Sequence, residues 1–209
     1  GNSIDFNSNY VIEQVMDRTE WQYVYGQGAE GAKPLTGLAA GQVGGSSWGA
    51  KLDGSSVVQF DGTSRPYTAQ KNNIENFYKN GSTWSNTLAL NKTFEGGAIR
   101  FSANDVNNNS VVPNSGLNRQ SFNLVGTFEP IKSLIIDVRT NYILEQAKNR
   151  PMVSDGAGNA NYNVAFLPTS VNVNDLKPWK NAAGAEVQYN TGNTFATNPW
   201  FAAYEFINN

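Results

Sequence analysis

Leu134-Ile135-Ile136-Asp137-Val138-Arg139-Thr140-Asn141-Tyr142-Ile143-Leu144-Glu145 is the stretch on which the fold turns. Leu134, Ile136, Val138, Tyr142 and Leu144 alternate with Asp137, Arg139, Asn141 and Glu145. A side-chain period of two belongs to a strand with one apolar and one polar face. The opening of the chain repeats the pattern, with Ile4, Phe6, Tyr10 and Ile12 set against Asp5, Asn7, Asn9 and Glu13.

Three further stretches follow the same rule. Between 83 and 94, Trp84, Leu88 and Leu90 share a face opposite Ser85, Thr87 and Asn91, with Asn86 intruding on the apolar side. Ile99, Phe101 and Ala103 oppose Arg100, Ser102 and Asn104. Phe122, Leu124 and Phe128 oppose Asn123, Thr127 and Glu129. The predicted strands are therefore 3–14, 83–94, 98–106, 118–129 and 133–146. Trp200, Ala202, Tyr204 and Phe206 start a sixth or belong to the loop before it.

The connections fall into two classes. Glu95-Gly96-Gly97 and Glu129-Pro130-Ile131-Lys132 read as tight turns, since Pro opens turns and cannot pair inside a sheet. Residues 19–81, 107–117 and 148–198 are longer loops. The first has a short helical patch where Ile74, Phe77 and Tyr78 share a face. In an up-and-down meander alternate connections lie at the same end, so both tight turns fall at one end and the long loops at the other.

That asymmetry is the pattern of an outer-membrane β-barrel, with short periplasmic turns and long extracellular loops. A soluble or secreted β-sandwich that binds carbohydrate is the alternative, but such sandwiches seldom carry two loops of this length. Five or six strands cannot close a membrane barrel, for which about eight is the minimum. The expectation is an all-β, antiparallel, up-and-down segment of a larger transmembrane barrel. On that reading Ile4, Phe6, Tyr10, Leu88, Ile99, Phe101, Phe122, Leu124, Leu134, Ile136, Val138 and Tyr142 face lipid. Asp5, Asn7, Asn9, Arg100, Asn123, Asp137, Arg139 and Asn141 face the lumen.

Composition narrows the chemistry. In 209 residues there is no cysteine and no histidine, so thiolate metal sites, disulfides and the commonest general base are excluded. A formal charge of −2 with no basic stripe gives little attraction to nucleic acid. No apolar run is long enough for a membrane helix. No signal peptide opens the chain, which starts directly in a strand pattern and so reads as processed or as an internal piece. Asp137 and Glu145 stand eight residues apart, roughly 26 Å along a strand, too far for a glycosidase pair. No catalytic residue is assigned, and no cofactor is called for.

Other motifs are weaker. The run from Gly41 to Gly49 is rich in glycine but lacks the Gly-Lys-Ser/Thr ending of a phosphate loop. Asp105-Val106-Asn107-Asn108-Asn109-Ser110 starts like a calcium loop, yet position twelve is Gly116 rather than an acid. Asp155-Gly156-Ala157-Gly158-Asn159 is incomplete in the same way. Turn chemistry accounts for both, and no metal site is assigned. Trp21, Tyr23 and Tyr25 read either as an aromatic platform for a ligand or as girdle and loop packing.

An ordered series of loop motifs adds a resemblance. It runs Tyr25-Gly26-Gln27-Gly28, then Ser47-Trp48-Gly49-Ala50-Lys51-Leu52-Asp53-Gly54 and Arg65-Pro66-Tyr67-Thr68-Ala69-Gln70. It continues with Asn73-Ile74-Glu75-Asn76-Phe77-Tyr78-Lys79-Asn80-Gly81, Val112-Pro113-Asn114-Ser115 and Asn149-Arg150-Pro151. The series resembles the first part of the barrel of SusC/RagA-type TonB-dependent transporters of Bacteroidetes, with Ala50 where Pro is expected. The resemblance implies one portion of a barrel of about 22 strands in the bacterial outer membrane. It also implies import of oligosaccharide or peptide cargo, a SusD-like surface lipoprotein as lid, and energy from the TonB complex. The plug through which that complex acts and the rest of the barrel are expected outside this sequence. Trp48, Arg65, Tyr67 and Trp179 are the residues expected near cargo or lid; for Trp48 a purely structural turn is the competing reading.

Overall fold

In the computed structural model, residues 1–43, 47–192 and 196–206 are described. The chain divides into two compact units. One holds residues 1–13, 80–110 and 116–148; the other holds 14–79, 111–115 and 149–209.

The first unit is a five-stranded antiparallel sheet. Its strands are β1 (Ser3–Glu13), β4 (Gly81–Phe94), β5 (Gly97–Asn109), β6 (Gly116–Ile131) and β7 (Leu134–Lys148), neighbours in that order. The second unit contributes two short strands, β2 (Ser56–Val58) and β3 (Ser64–Pro66), which pair with each other. The sheet is open: β1 pairs only with β4, and β7 only with β6. All five predicted strands are present. No sixth joins them among the described residues, and no closed barrel forms.

Register extends the alternation across the whole sheet. Residues directly opposite in an antiparallel pair share a face. The row Phe6, Leu88, Ala103, Phe122, Tyr142 is continuous, as is Ile4, Leu90, Phe101, Leu124, Thr140. Towards the tight turns, Phe94 and Phe128 lie on the same side, their rings 6.0 Å apart. The other face carries Asp5, Ala89, Ser102, Asn123, Asn141 in one row and Ser3, Asn91, Arg100, Val125, Arg139 in the next. Asn86, which breaks the apolar pattern in sequence, stands in a row with Ser8, Asp105 and Gln120. There Ser8 donates to Asn86 at 2.7 Å, and Gln120 donates to Asp105 at 2.9 Å. The irregularity is a row of four polar residues, paired among themselves, that ends at Leu144 on β7.

Both tight turns come out at one end of the sheet. Phe94 pairs with Gly97, and Gly96 between them takes a φ of 78°, a conformation a glycine adopts without penalty. The second turn is Lys132-Ser133, later than expected. Pro130 lies inside β6, where the register shifts between Phe128 and Ile131; such an irregularity tolerates a residue with no N–H to donate. The middle loop is also shorter than predicted, because β5 runs on to Asn109 and β6 starts at Gly116. Asp105 to Asn109 is therefore strand, not a calcium-type loop.

The second unit is not the irregular loop its composition suggests. Its described residues hold four short helices: α1 (Gly37–Val43), α2 (Asn73–Phe77), α3 (Ala160–Ala165) and α4 (Pro199–Tyr204). A 3-10 turn spans Val173–Leu176. Its core gathers Phe77, Val164, Val171, Val173, Leu176, Tyr189 and Trp200. Phe77 packs edge-on to Trp200, with ring centroids 5.0 Å apart. Buried asparagines supply the backbone partners that a small core of loops needs. Asn73 donates to the Val171 carbonyl and accepts from the Val173 N–H, both at 2.9 Å. Asn198 donates to the carbonyls of Leu176 and Val187.

The stretch from Trp200, open between a sixth strand and the loop before it, is helix α4. Asn198 accepts from the Trp200 and Phe201 N–H groups as N-cap, and Pro199 takes the first helical position. An Asn-Pro pair is a helix start, and it outweighs four alternating apolar residues. Of the glycine-rich run, residues 44–46 lie outside the described residues, as do 193–195 of the last loop.

Candidate functional site

Three of the loop motifs meet at one junction in the second unit. Tyr25-Gly26-Gln27-Gly28 runs beside Trp48-Gly49-Ala50-Lys51-Leu52. The Gly26 N–H donates to Ala50 at 3.2 Å, Gly49 to Gly26 at 3.0 Å and Leu52 to Val24 at 2.9 Å. A Cβ on Gly26 would lie 2.7 Å from the Tyr67 ring, and one on Gly49 would lie 2.6 Å from the Gln27 carbonyl. These glycines are there because two backbones cross in contact over an aromatic ring. Tyr67 is that ring, wholly buried, and its hydroxyl donates to the Gln27 carbonyl at 2.8 Å. Burial raises its pKa. Tyr67 is therefore not presented to a ligand, contrary to the sequence expectation. Its polar tip serves the junction.

Arg65 is equally committed. It grips Asp61 through two bonds of 2.7 Å and reaches Asp175 at 3.0 Å, tying the β2–β3 hairpin to the 3-10 turn. The Arg65 guanidinium holds the Asp61 carboxyl at a pKa of about 2. Asp53 is also drawn to about 2, chiefly by Lys33 at 2.7 Å and then by the Ser55 N–H. Trp179 stacks on Tyr204 at 4.5 Å and donates to Glu205 at 3.0 Å, bracing α4. Of the four candidates only Trp48 stands clear, 78% exposed.

Trp48 forms one wall of an open cleft of about 700 Å³. Trp21, Val24 and Tyr25 line it from the first loop, and Phe166 and Leu167 from the second. Trp21 is held by donating to Asp17 at 2.6 Å. The Thr19 N–H, followed by that indole, keeps the Asp17 carboxyl below its ordinary range. Gln22 fixes the floor, accepting from the Val24 and Tyr25 N–H groups and donating to the Tyr25 carbonyl. Thr169 bridges the two loops, donating to the Tyr25 carbonyl at 2.6 Å. Trp21 and Tyr25 line this concavity, whereas Tyr23 turns to Lys71. Phe166 was missed. Its signal was the Tyr162–Phe166 spacing of four, which stacks the rings at 4.4 Å along α3.

The sheet residues named from sequence separate by face. Asp5, Asn7, Asn9, Arg100, Asn123, Asp137, Arg139 and Asn141 lie on one side; Ile4, Phe6, Tyr10, Leu88, Ile99, Phe101, Phe122, Leu124, Leu134, Ile136, Val138 and Tyr142 lie on the other. On the polar side Thr127 donates to Asp137 at 2.6 Å, Asn91 to Asp5 at 3.1 Å, and Asn104 to Thr87 at 2.7 Å. The apolar side is exposed, with Ile4 at 76% and Phe6 at 70%. In comparisons with known proteins, no family model and no curated protein matched this chain.

Proposed function

We propose that this chain is part of an outer-membrane nutrient importer of the SusC/RagA type, its five strands one arc of a transmembrane barrel. The observation that carries this reading is the slant of the apolar face. On β1 the apolar residues run from Ile4 to Ile12, and on β7 from Leu134 to Leu144. Ile12 shares a row with Lys148, four residues beyond Leu144; Ile4 shares a row with Thr140, six residues beyond Leu134. Over four strand-to-strand steps the apolar band drifts by about 1–1.5 residues per strand. With about 3.4 Å per residue along a strand and about 4.8 Å between strands, that drift corresponds to a tilt of roughly 35–45°, the tilt of membrane barrels. Leu134 to Leu144 at that tilt spans about 25 Å of height, the thickness of their apolar band. A soluble sandwich needs a second sheet over the apolar face. The other sheet among the described residues has two strands of three residues.

The remaining parts of the proposal follow from the barrel. The edges β1 and β7 are completed by further strands, because unpaired backbone is untenable in lipid. Glu13, Gly81, Asn109, Gly116 and Lys148 end their strands at one side of the sheet, and the chain continues from there into the second unit. That unit forms the extracellular mouth, where oligosaccharide or peptide cargo and a SusD-like lipoprotein meet. TonB drives the assembly through a plug. No catalytic step is assigned to this chain. The test is extraction of the full-length protein from its native membranes. It should stay in the pellet through alkaline carbonate and urea washes and leave only with detergent; release by the washes would overturn the proposal.

A further inference from the structure

The aromatic cleft of the second unit combines three properties that together specify a ligand. Its volume of about 700 Å³ lies in the range of sites for drug-sized molecules, about 300–1,000 Å³. No residue lining it is charged. Most of its polar side chains are already engaged, and the Tyr25 hydroxyl and the Trp48 indole N–H are the few donors it keeps for a ligand. Both ends of the Gln22 amide bond to backbone, and the Thr169 hydroxyl donates to Tyr25. The Ser47 hydroxyl accepts from the Thr169 N–H, and the Trp21 indole donates to Asp17. A sugar entering such a site would surrender water from many hydroxyls and find few partners, at a cost for each group left unpaired. An apolar ring system loses nothing comparable and gains aromatic faces on Trp48, Tyr25 and Phe166.

We infer that this cleft is a binding site for a neutral, apolar, ring-bearing small molecule, and that it discriminates against unsubstituted oligosaccharide. The inference stands apart from the transporter reading, because every group in it belongs to the second unit. Trp48 and Phe166 are the specificity walls; at 78% and 54% exposure they present their rings to the ligand.

The test uses the full-length protein in nanodiscs, grown with 5-fluorotryptophan. The Trp48 resonance is assigned by loss in Trp48→Phe, with Trp84 on β4 and buried Trp200 as internal controls of fold. 2-Naphthol is the apolar probe and maltoheptaose the sugar probe. The expected result is a saturable shift of the Trp48 resonance with 2-naphthol, weakened at least tenfold in Phe166→Asp while the Trp84 and Trp200 resonances hold their positions. No saturable shift with 2-naphthol, or a saturable shift with maltoheptaose that Phe166→Asp weakens, would overturn the inference. If Phe166→Asp moves the Trp200 resonance, Val24→Asp, on the opposite wall, replaces it. A Trp48 response in a protein that washes free of membranes would sink the transporter proposal and leave the cleft standing.

Discussion

Replacing Gly49 with Ala tests whether the loop motifs exist to let two backbones cross. The added Cβ would stand 2.6 Å from the Gln27 carbonyl, 2.7 Å from the Tyr67 hydroxyl and 2.8 Å from the Gly28 Cα. Two of the three contacts are backbone, so no side-chain rotation relieves them. Overpacking of this kind costs about 1–3 kcal/mol. Forcing Tyr67 off Gln27 loses a buried hydrogen bond of about 1 kcal/mol more. The expected destabilisation of the junction is about 2–4 kcal/mol. Gly54→Ala is the comparison. Gly54 has a φ of 76° and open space around it, so only backbone strain of about 1 kcal/mol is added there. Hydrogen exchange of the full-length protein reads both at the Gly26 and Leu52 amides, which are bonded across the junction. At 1.4 kcal/mol per tenfold, Gly49→Ala should speed their exchange by roughly 30- to 700-fold and Gly54→Ala by about fivefold. Equal effects from the two variants would refute the crossing as the reason for the motif.

Three other outcomes follow. Leu124→Arg should block insertion of the barrel, at about 2–4 kcal/mol for a cation facing the bilayer midplane, whereas Asn123→Arg on the opposite face should insert normally, both read by membrane integration. Asn198→Ala removes an N-cap and the donors to two buried carbonyls, so the unfolding free energy of the second unit should fall by about 2–4 kcal/mol in denaturant titration. Asp61 has a folded pKa of about 2, below its unfolded value; the stability it contributes is complete above about pH 4 and fades as pH falls towards 2. In Arg65→Gln that depressed pKa should return towards the unfolded value, shrinking the loss of stability between pH 4 and 2, as measured by acid titration of Trp fluorescence.

The sheet was legible because its signal is local and repeated. Leu134 to Leu144 announces its faces without reference to any neighbour. Asn86 made sense only once register set it beside Ser8 and Asp105. The second unit was less legible because its order comes from contacts distant in sequence: Gly49 against Gln27, Tyr67 beneath both, Asn73 bonded to Val171 and Val173. Tyr67 and Arg65 looked like ligand groups because aromatic rings and guanidinium forks serve burial and ion pairing equally well. Trp200 misled because a six-residue helix is too short to show a period of 3.6; the Asn198-Pro199 cap was the readable signal.

In the proposed barrel the slanted apolar face meets lipid. This chain has no cysteine, so single spin labels can be placed in it once any cysteines elsewhere in the full-length protein are replaced. Labels at Phe6, Leu88, Phe101, Leu124 and Val138 and at Asn7, Arg100, Asn123 and Arg139, in the full-length protein in bilayers, are compared for collision with oxygen and with a water-soluble nickel chelate. Oxygen access and nickel exclusion are expected for the first set, the reverse for the second, with a depth maximum near Ser8 on β1 and Val138 on β7. Equal nickel access for both sets would contradict it.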